Sequence, residues 1–240
     1  MKRTVKVKQM ICVCFVMLMA LSFFSVNPLR AEASAKFKVS STSLKKSLNN
    51  YSIRVNVDNK EQRFVIKKKE ISKVTVKSKK FSSDRKSVTV TAFVYVDRKV
   101  ATVKARATIK YSLKKNKWKL SSVNISKASI SSIPLRGTWT GTYVANQGQT
   151  KAVFVINSVS KDGYAAGILY FSGTPTNPKV PSGSYTVVGG YDKKTGKVSF
   201  TGDEWISQPS GYTMVDFYGY LDLKNKEIRA DNYSLSISKE

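Results

Sequence analysis

Residues 88–113, "VTVTAFVYVDRKVATVKARATIKYSL", hold two runs in which apolar and polar side chains alternate almost without a break. Successive side chains of a strand point to opposite faces, so a period of two gives each run one buried and one wet face. Val88, Val90, Ala92, Val94 and Val96 share a face of the first run. In the second, Val103, Ala105, Ala107, Ile109, Tyr111 and Leu113 lie opposite Thr102, Lys104, Arg106, Thr108 and Lys110. Such strict alternation marks half-buried antiparallel strands, and Asp97-Arg98-Lys99 is short enough to be the turn between them. "KKNKW" (114–118) turns the second strand into a third that carries Trp118 and Leu120, while "FVI" and "ISKVTVKS" predict strands upstream. "STSLKKSLNN" (41–50) is the one predicted helix, with Ser or Thr available as N-cap and Leu44 and Leu48 at i, i+4.

The N-terminus follows a different pattern. Lys2, Arg3, Lys6 and Lys8 precede a nearly uncharged run from Met10 to Val26, and "RAEASAKF" comes next. Ala31/Ala33 and Ala33/Ala35 both satisfy the small-x-small rule of signal-peptide cleavage, so residues 1–35 are expected to be a signal peptide. A retained anchor is the competing reading, because the run approaches the ~18 residues of a span. The A-x-A pairs just beyond the run favour cleavage, leaving a secreted or extracellular chain, free or at the cell surface, without a transmembrane span.

Cys12 and Cys14, the only cysteines, lie inside that leader, and the chain has no histidine. The mature chain would therefore lack thiols and disulfides, which favours a bacterial setting for an exported protein. The same absences remove catalytic triads, thiol chemistry and most transition-metal sites. No cofactor or metal is expected, and any metal site would be all oxygen.

About 205 residues remain after cleavage, enough for one large or two ordinary domains. Residues 36–133 hold 26 Lys and Arg against five acids, a net of +21, whereas residues 134–240 hold 11 against nine, a net of +2. All 13 glycines fall at 137 or beyond. These discontinuities predict a basic α+β domain over 36–127, a Ser-rich linker over 128–134 and a second domain over 135–240.

The second segment is a series of apolar-alternating runs, "GTWTGTYVA", "TKAVFVINSV", "GYAAGILYFSG", "GSYTVVGGYD", "GKVSFTGDEWI", "YTMVDFYGYLDL" and "KEIRADNYSLSIS", mostly separated by Gly, Asn, Asp or Pro clusters. "DKKTG" (192–196) and "LKNKE" (223–227) read as hairpin tips. Consecutive hairpins without a crossover imply an antiparallel meander, and closure into a barrel removes its edges. The expected fold is mainly β: a small antiparallel sheet with one short helix, then an up-and-down barrel, closed or open.

Two resemblances accompany this reading. The hairpin "YSLKKNKWKL" at the end of residues 36–127 resembles cystatin-like α+β modules of bacterial exported proteins, which finish on two long strands with a Trp just after the last turn. The series G-T-W-x-G-x-Y (137–143), N-P-x-V-P-S-G-S-Y (177–185), G-x-Y-D-x-x-T-G-x-V (189–198) and E-W-I-x-Q-P-x-G-Y (204–212) resembles a recurrent lipocalin-like β-barrel module of such proteins. The second resemblance implies a fold and supplies no active site.

Three features carry the functional expectations. Lys104, Arg106 and Lys110 occupy alternate positions about 6.6–7 Å apart, and Lys114, Lys115 and Lys117 extend the cations to a hairpin tip. Charge of this density on fewer than 100 residues exceeds what solubility requires and calls for a polyanion outside the cell, such as teichoic acid, anionic phospholipid headgroups or extracellular nucleic acid. No recognition helix is visible, so sequence-specific nucleic-acid reading is not expected. The Pro-rich loop 172–185 is expected to present a ligand site at the barrel mouth with Tyr185, Trp205 and Tyr212. Asp203 and Glu204 beside Trp205 invite a glycan-hydrolase reading, but neighbours in a strand face opposite ways. Asp216 reads as an acid within an apolar strand. The expected function is non-enzymatic binding to anionic envelope polymers, with the barrel as a ligand or glycan module. A carboxylate hydrolase and an assembly partner of another surface protein are the alternatives.

Overall fold

The computed structural model describes residues 37–240. The expected signal peptide and both cysteines lie outside the described residues. Helix α1 (Ser41–Leu48) starts at Ser40, whose Oγ accepts from the Ser43 amide at 3.1 Å while the Ser43 Oγ accepts from the Ser40 amide at 3.0 Å. This reciprocal cap satisfies two amides that a helix start leaves without partners. Leu44 and Leu48, one turn apart, are both buried.

A hairpin of β1 (Ser52–Val57) and β2 (Lys60–Val65) follows, then an antiparallel sheet in the order β3 (Ile71–Phe81), β4 (Ser87–Asp97), β5 (Thr102–Lys114) and β6 (Lys117–Ser132). Val88, Val90, Ala92, Val94 and Val96 on β4 are fully buried, as are Val103, Ala105, Ala107 and Ile109 on β5. The sheet is therefore apolar on its inner face, as the alternation requires. Two details differ from expectation. The β4–β5 turn extends to Ala101, and Arg98 within it is buried. Residues 128–132, expected as linker, complete β6, because Ile130 and Ile133 find apolar cover where a linker would have none.

Residues 137–239 form a closed eight-strand antiparallel barrel. Its strands are β7 (Gly137–Ala145), β8 (Gly148–Val159), β9 (Tyr164–Gly173), β10 (Gly183–Asp192), β11 (Lys197–Ser207), β12 (Phe217–Asp222), β13 (Glu227–Ala230) and β14 (Leu235–Lys239). Each pairs with the next, and β14 pairs back to β7. Closure depends on Gly141, where a Cβ would lie 1.9 Å from the Ser236 carbonyl oxygen. The run "YTMVDFYGYLDL" is strand only from Phe217, because the preceding residues form a loop across one mouth of the barrel.

Aromatic rings fill the bore. Phe154 lies 5.1 Å from Phe200 and 5.5 Å from Phe217, and Tyr143 lies 5.3 Å from Phe217. Buried apolar residues of both halves belong to one contiguous cluster. The hairpin tips 192–196 and 223–227 belong to one end of the barrel, and both contact the basic half. The Asp58 amide donates to the Thr195 carbonyl at 2.6 Å, and Gln62 joins the Leu221 carbonyl and the Leu223 amide at 2.8 and 2.7 Å.

Candidate functional site

The outer face of the four-stranded sheet places cations around two aromatic rings. Strand register aligns Lys73, Tyr95 and Lys104 across β3, β4 and β5, and Thr75, Phe93 and Arg106 in the next row. The Lys104 ammonium stands 4.2 Å from the Phe93 ring centroid, Lys77 stands 5.3 Å away, and the Arg106 guanidinium stands 6.0 Å away. Lys73 and Lys104 each lie 5.9 Å from the Tyr95 ring. Such contacts stabilise by about 0.5–1 kcal/mol each when exposed, and they hold like charges close together on one plane.

Arg106 and Lys110 are exposed, whereas Lys104 is half-buried against the rings. Lys114, Lys115 and Lys117 are exposed at the β5–β6 tip, where Lys115 and Asn116 have φ of 48° and 58°. Positive φ at both turn residues is what a two-residue hairpin demands. Phe93 and Tyr95 were not singled out from the sequence. The signal was present, since they occupy the wet parity of a strand whose other parity is continuously apolar.

At the barrel mouth away from the basic half, Tyr185, Trp205 and Tyr212 do come together. The Tyr185 and Trp205 rings are 5.1 Å apart, and Phe171 lies 6.2 Å from Trp205 and stacks on Tyr212 at 5.8 Å. Tyr185, however, is buried in the core. Its hydroxyl donates to the Val215 carbonyl and accepts from the Val215 amide, both at 3.1 Å, so it ties the 208–216 loop over the mouth. Trp205 and Tyr212 remain half-buried. A recess of about 360 Å³ is left, lined by Asn146, Gln147, Tyr212, Met214 and Tyr233 among others, none charged. The Pro-rich loop is fixed by Asn177, which donates to the Gln147 and Gln149 carbonyls at 2.7 and 3.2 Å.

Two carboxylates near Trp205, Asp203 and Asp216, have structural partners. Asp203 accepts from the Thr186 hydroxyl at 3.3 Å, and Asp216 accepts from the Gly202 amide at 3.0 Å. Asp216 precedes β12, so it caps a loop and does not interrupt a strand. Among the described residues no group of three or more acids is placed to hold a metal ion, and no helix is long and apolar enough to cross a membrane.

Fold and surface together define a two-part β protein: a cationic antiparallel sheet docked on the end of a closed eight-strand antiparallel barrel. Comparisons with family models, with curated proteins and with solved structures find no match.

Proposed function

We propose that the chain is an exported, non-enzymatic binding protein of a bacterium, whose basic half associates with anionic polymers of the cell envelope, teichoic acid or phospholipid headgroups. The barrel, of the kind that recurs in bacterial exported proteins, serves as a separate ligand- or glycan-binding module. The observation that carries this reading is the sheet face on which Lys73, Lys77, Lys104 and Arg106 crowd the Phe93 and Tyr95 rings. Mutual repulsion makes that face costly for a free protein, and a polyanion relieves it. Contacts of this type are multivalent and tolerant of ligand conformation, as the regular cation spacing along a strand suits a repeating anion.

The test is binding of the purified protein to teichoic acid and to vesicles containing phosphatidylglycerol over a series of salt concentrations. Affinity is expected to fall steeply with salt. Replacing Lys104, Arg106 and Lys110 together by Ser is expected to flatten the log–log slope by about 2–3, close to one unit per lost contact. Absence of binding to both probes at about 0.1 M salt, where charges are screened beyond ~10 Å, would sink the proposal.

A further inference from the structure

The outer wall of the barrel carries a trough that polyanion binding leaves unused. Tyr164 and Tyr218 are each 58% exposed, more than any other exposed large hydrophobic among the described residues. Register places them in one cross-strand row: Tyr164 on β9 faces Gly190 on β10, Gly190 faces Ser199 on β11, and Ser199 faces Tyr218 on β12. With about 4.8 Å between adjacent strands, the two tyrosines stand roughly 14 Å apart. Only a glycine and a serine lie between them. The result is a groove of about 510 Å³ whose lining also includes Asp162, Asp192 and Lys197.

The chemistry of this lining selects a ligand class. Exposed phenol rings offer flat apolar faces with a polar edge, suited to the C–H face of a pyranose ring. The Asp192 carboxylate is held by the Lys194 amide at 2.7 Å and the Thr195 hydroxyl at 2.9 Å, which depress its pKa, so it acts as an acceptor at neutral pH. Lys197 is paired with Asp58 at 3.2 Å. The one cation of the lining is thus already paired, so the groove offers an anion no free cation of its own. A cationic ligand is repelled at longer range by the net charge of +21 on residues 36–133. A neutral, hydroxyl-rich chain satisfies both constraints.

We propose that the Tyr164–Tyr218 trough binds a neutral glycan chain, with two non-adjacent sugar rings stacked on the two tyrosines and hydroxyls donating to Asp162 and Asp192. This deepens the reading of the barrel as a glycan module and is independent of polyanion binding by the sheet. The experiment is a ¹H–¹⁵N NMR titration of the purified protein with chitohexaose and with cellohexaose. At least one is expected to shift the amides of Gly163, Tyr164, Gly190, Ser199 and Gly219. Tyr164→Ala and Tyr218→Ala, at exposed sites, are each expected to weaken that binding about tenfold or more, equal to about 1.4 kcal/mol. Tyr170→Ala, exposed on β9 outside the trough, and the Lys104/Arg106/Lys110→Ser variant are expected to leave it unchanged. No shifts with either hexaose, shifts confined to the Tyr212–Tyr233 mouth, or full affinity in both tyrosine variants would each overturn the proposal. Loss of polyanion binding in the sheet variant, with the hexaose shifts intact, would separate the two functions.

Discussion

Arg98 donates from Nη1 to both carboxylate oxygens of Glu70 at 2.9 Å, and the two side chains are only 6% and 9% exposed. The same guanidinium donates through Nε to the Leu223 carbonyl at 2.8 Å and through Nη2 to the Lys224 carbonyl at 3.0 Å. Lys226 returns from the barrel to Glu70 at 2.6 Å, and Phe64 lies 4.5 Å from the guanidinium. One turn residue of the basic half thus satisfies the carbonyls of a barrel hairpin tip. Burial offsets much of the attraction within such a pair, so its main effect is to set how the halves are oriented.

Arg98→Ala is expected to destabilise the protein by about 3–5 kcal/mol, because it takes one of two cations from the buried Glu70 carboxylate and leaves two carbonyls without their donor. Arg98→Lys is expected to recover only part of this, since an ammonium cannot reach three separated acceptors in one plane. Urea unfolding followed by fluorescence of the fully buried Trp139 measures both. Wild-type stability in Arg98→Ala would show that the junction contributes nothing.

The junction is also expected to weaken in acid. Burial raises the Glu70 pKa, but the Lys226 hydrogen bond and the Arg98 charge outweigh it and hold it below its ordinary 4.5. A depressed carboxylate pKa gives stability that is complete above the unfolded value and disappears as pH falls through the folded one. The stability difference between wild type and Glu70→Gln is therefore expected to be constant above about pH 5 and to shrink below about pH 4. Thermal melts at several pH values read this directly; an equal difference at pH 3 and pH 7 contradicts it.

Gly196 offers a way to loosen docking without breaking a ladder. It has φ +76°, and a Cβ there would lie 2.8 Å from Val57 Cγ1 and 3.0 Å from Ile130 Cδ1, both in the basic half. All eight barrel strands find their partners within residues 137–239, so residues 135–240 are expected to fold alone and give a dispersed β-type NMR spectrum. Gly196→Ala is expected to destabilise the whole chain by about 1–3 kcal/mol and the isolated barrel by less, because only the whole chain contains the clash. Equal losses in both would place the cost in backbone strain alone.

At the alkaline limit the barrel should fail before its buried tyrosines ionise freely. Burial pushes Tyr143 up to about 12 and raises Tyr185 as well. A raised folded pKa means stability that is complete below the ordinary value of 10.0 and is lost as pH rises above it. Tyrosinate absorbance from these two residues is expected to appear only together with loss of the barrel's circular dichroism. Tyr185→Phe removes the hydroxyl that holds Val215 and is expected to cost about 1–3 kcal/mol through the unpaired backbone groups.

Local physics was legible in the sequence. Period-two alternation alone assigns the buried faces of β4 and β5, because a strand's geometry leaves each side chain only two directions. Leu44 and Leu48 at i, i+4, after a Ser or Thr available as cap, mark α1, and the glycine and charge discontinuity near residue 133 separates the cationic sheet from the barrel. What depends on register and docking was not legible. Arg98 reads as a turn residue until a barrel hairpin tip presents its carbonyls to it. Tyr185 reads as a mouth aromatic until the 208–216 loop folds over and takes its hydroxyl. Tyr164 and Tyr218 fall in one row only because three successive pairings align them through Gly190 and Ser199. The sequence by itself determined which residues lie on which face. Only the tertiary structure decided which faces meet, since that depends on contacts between residues far apart in the chain.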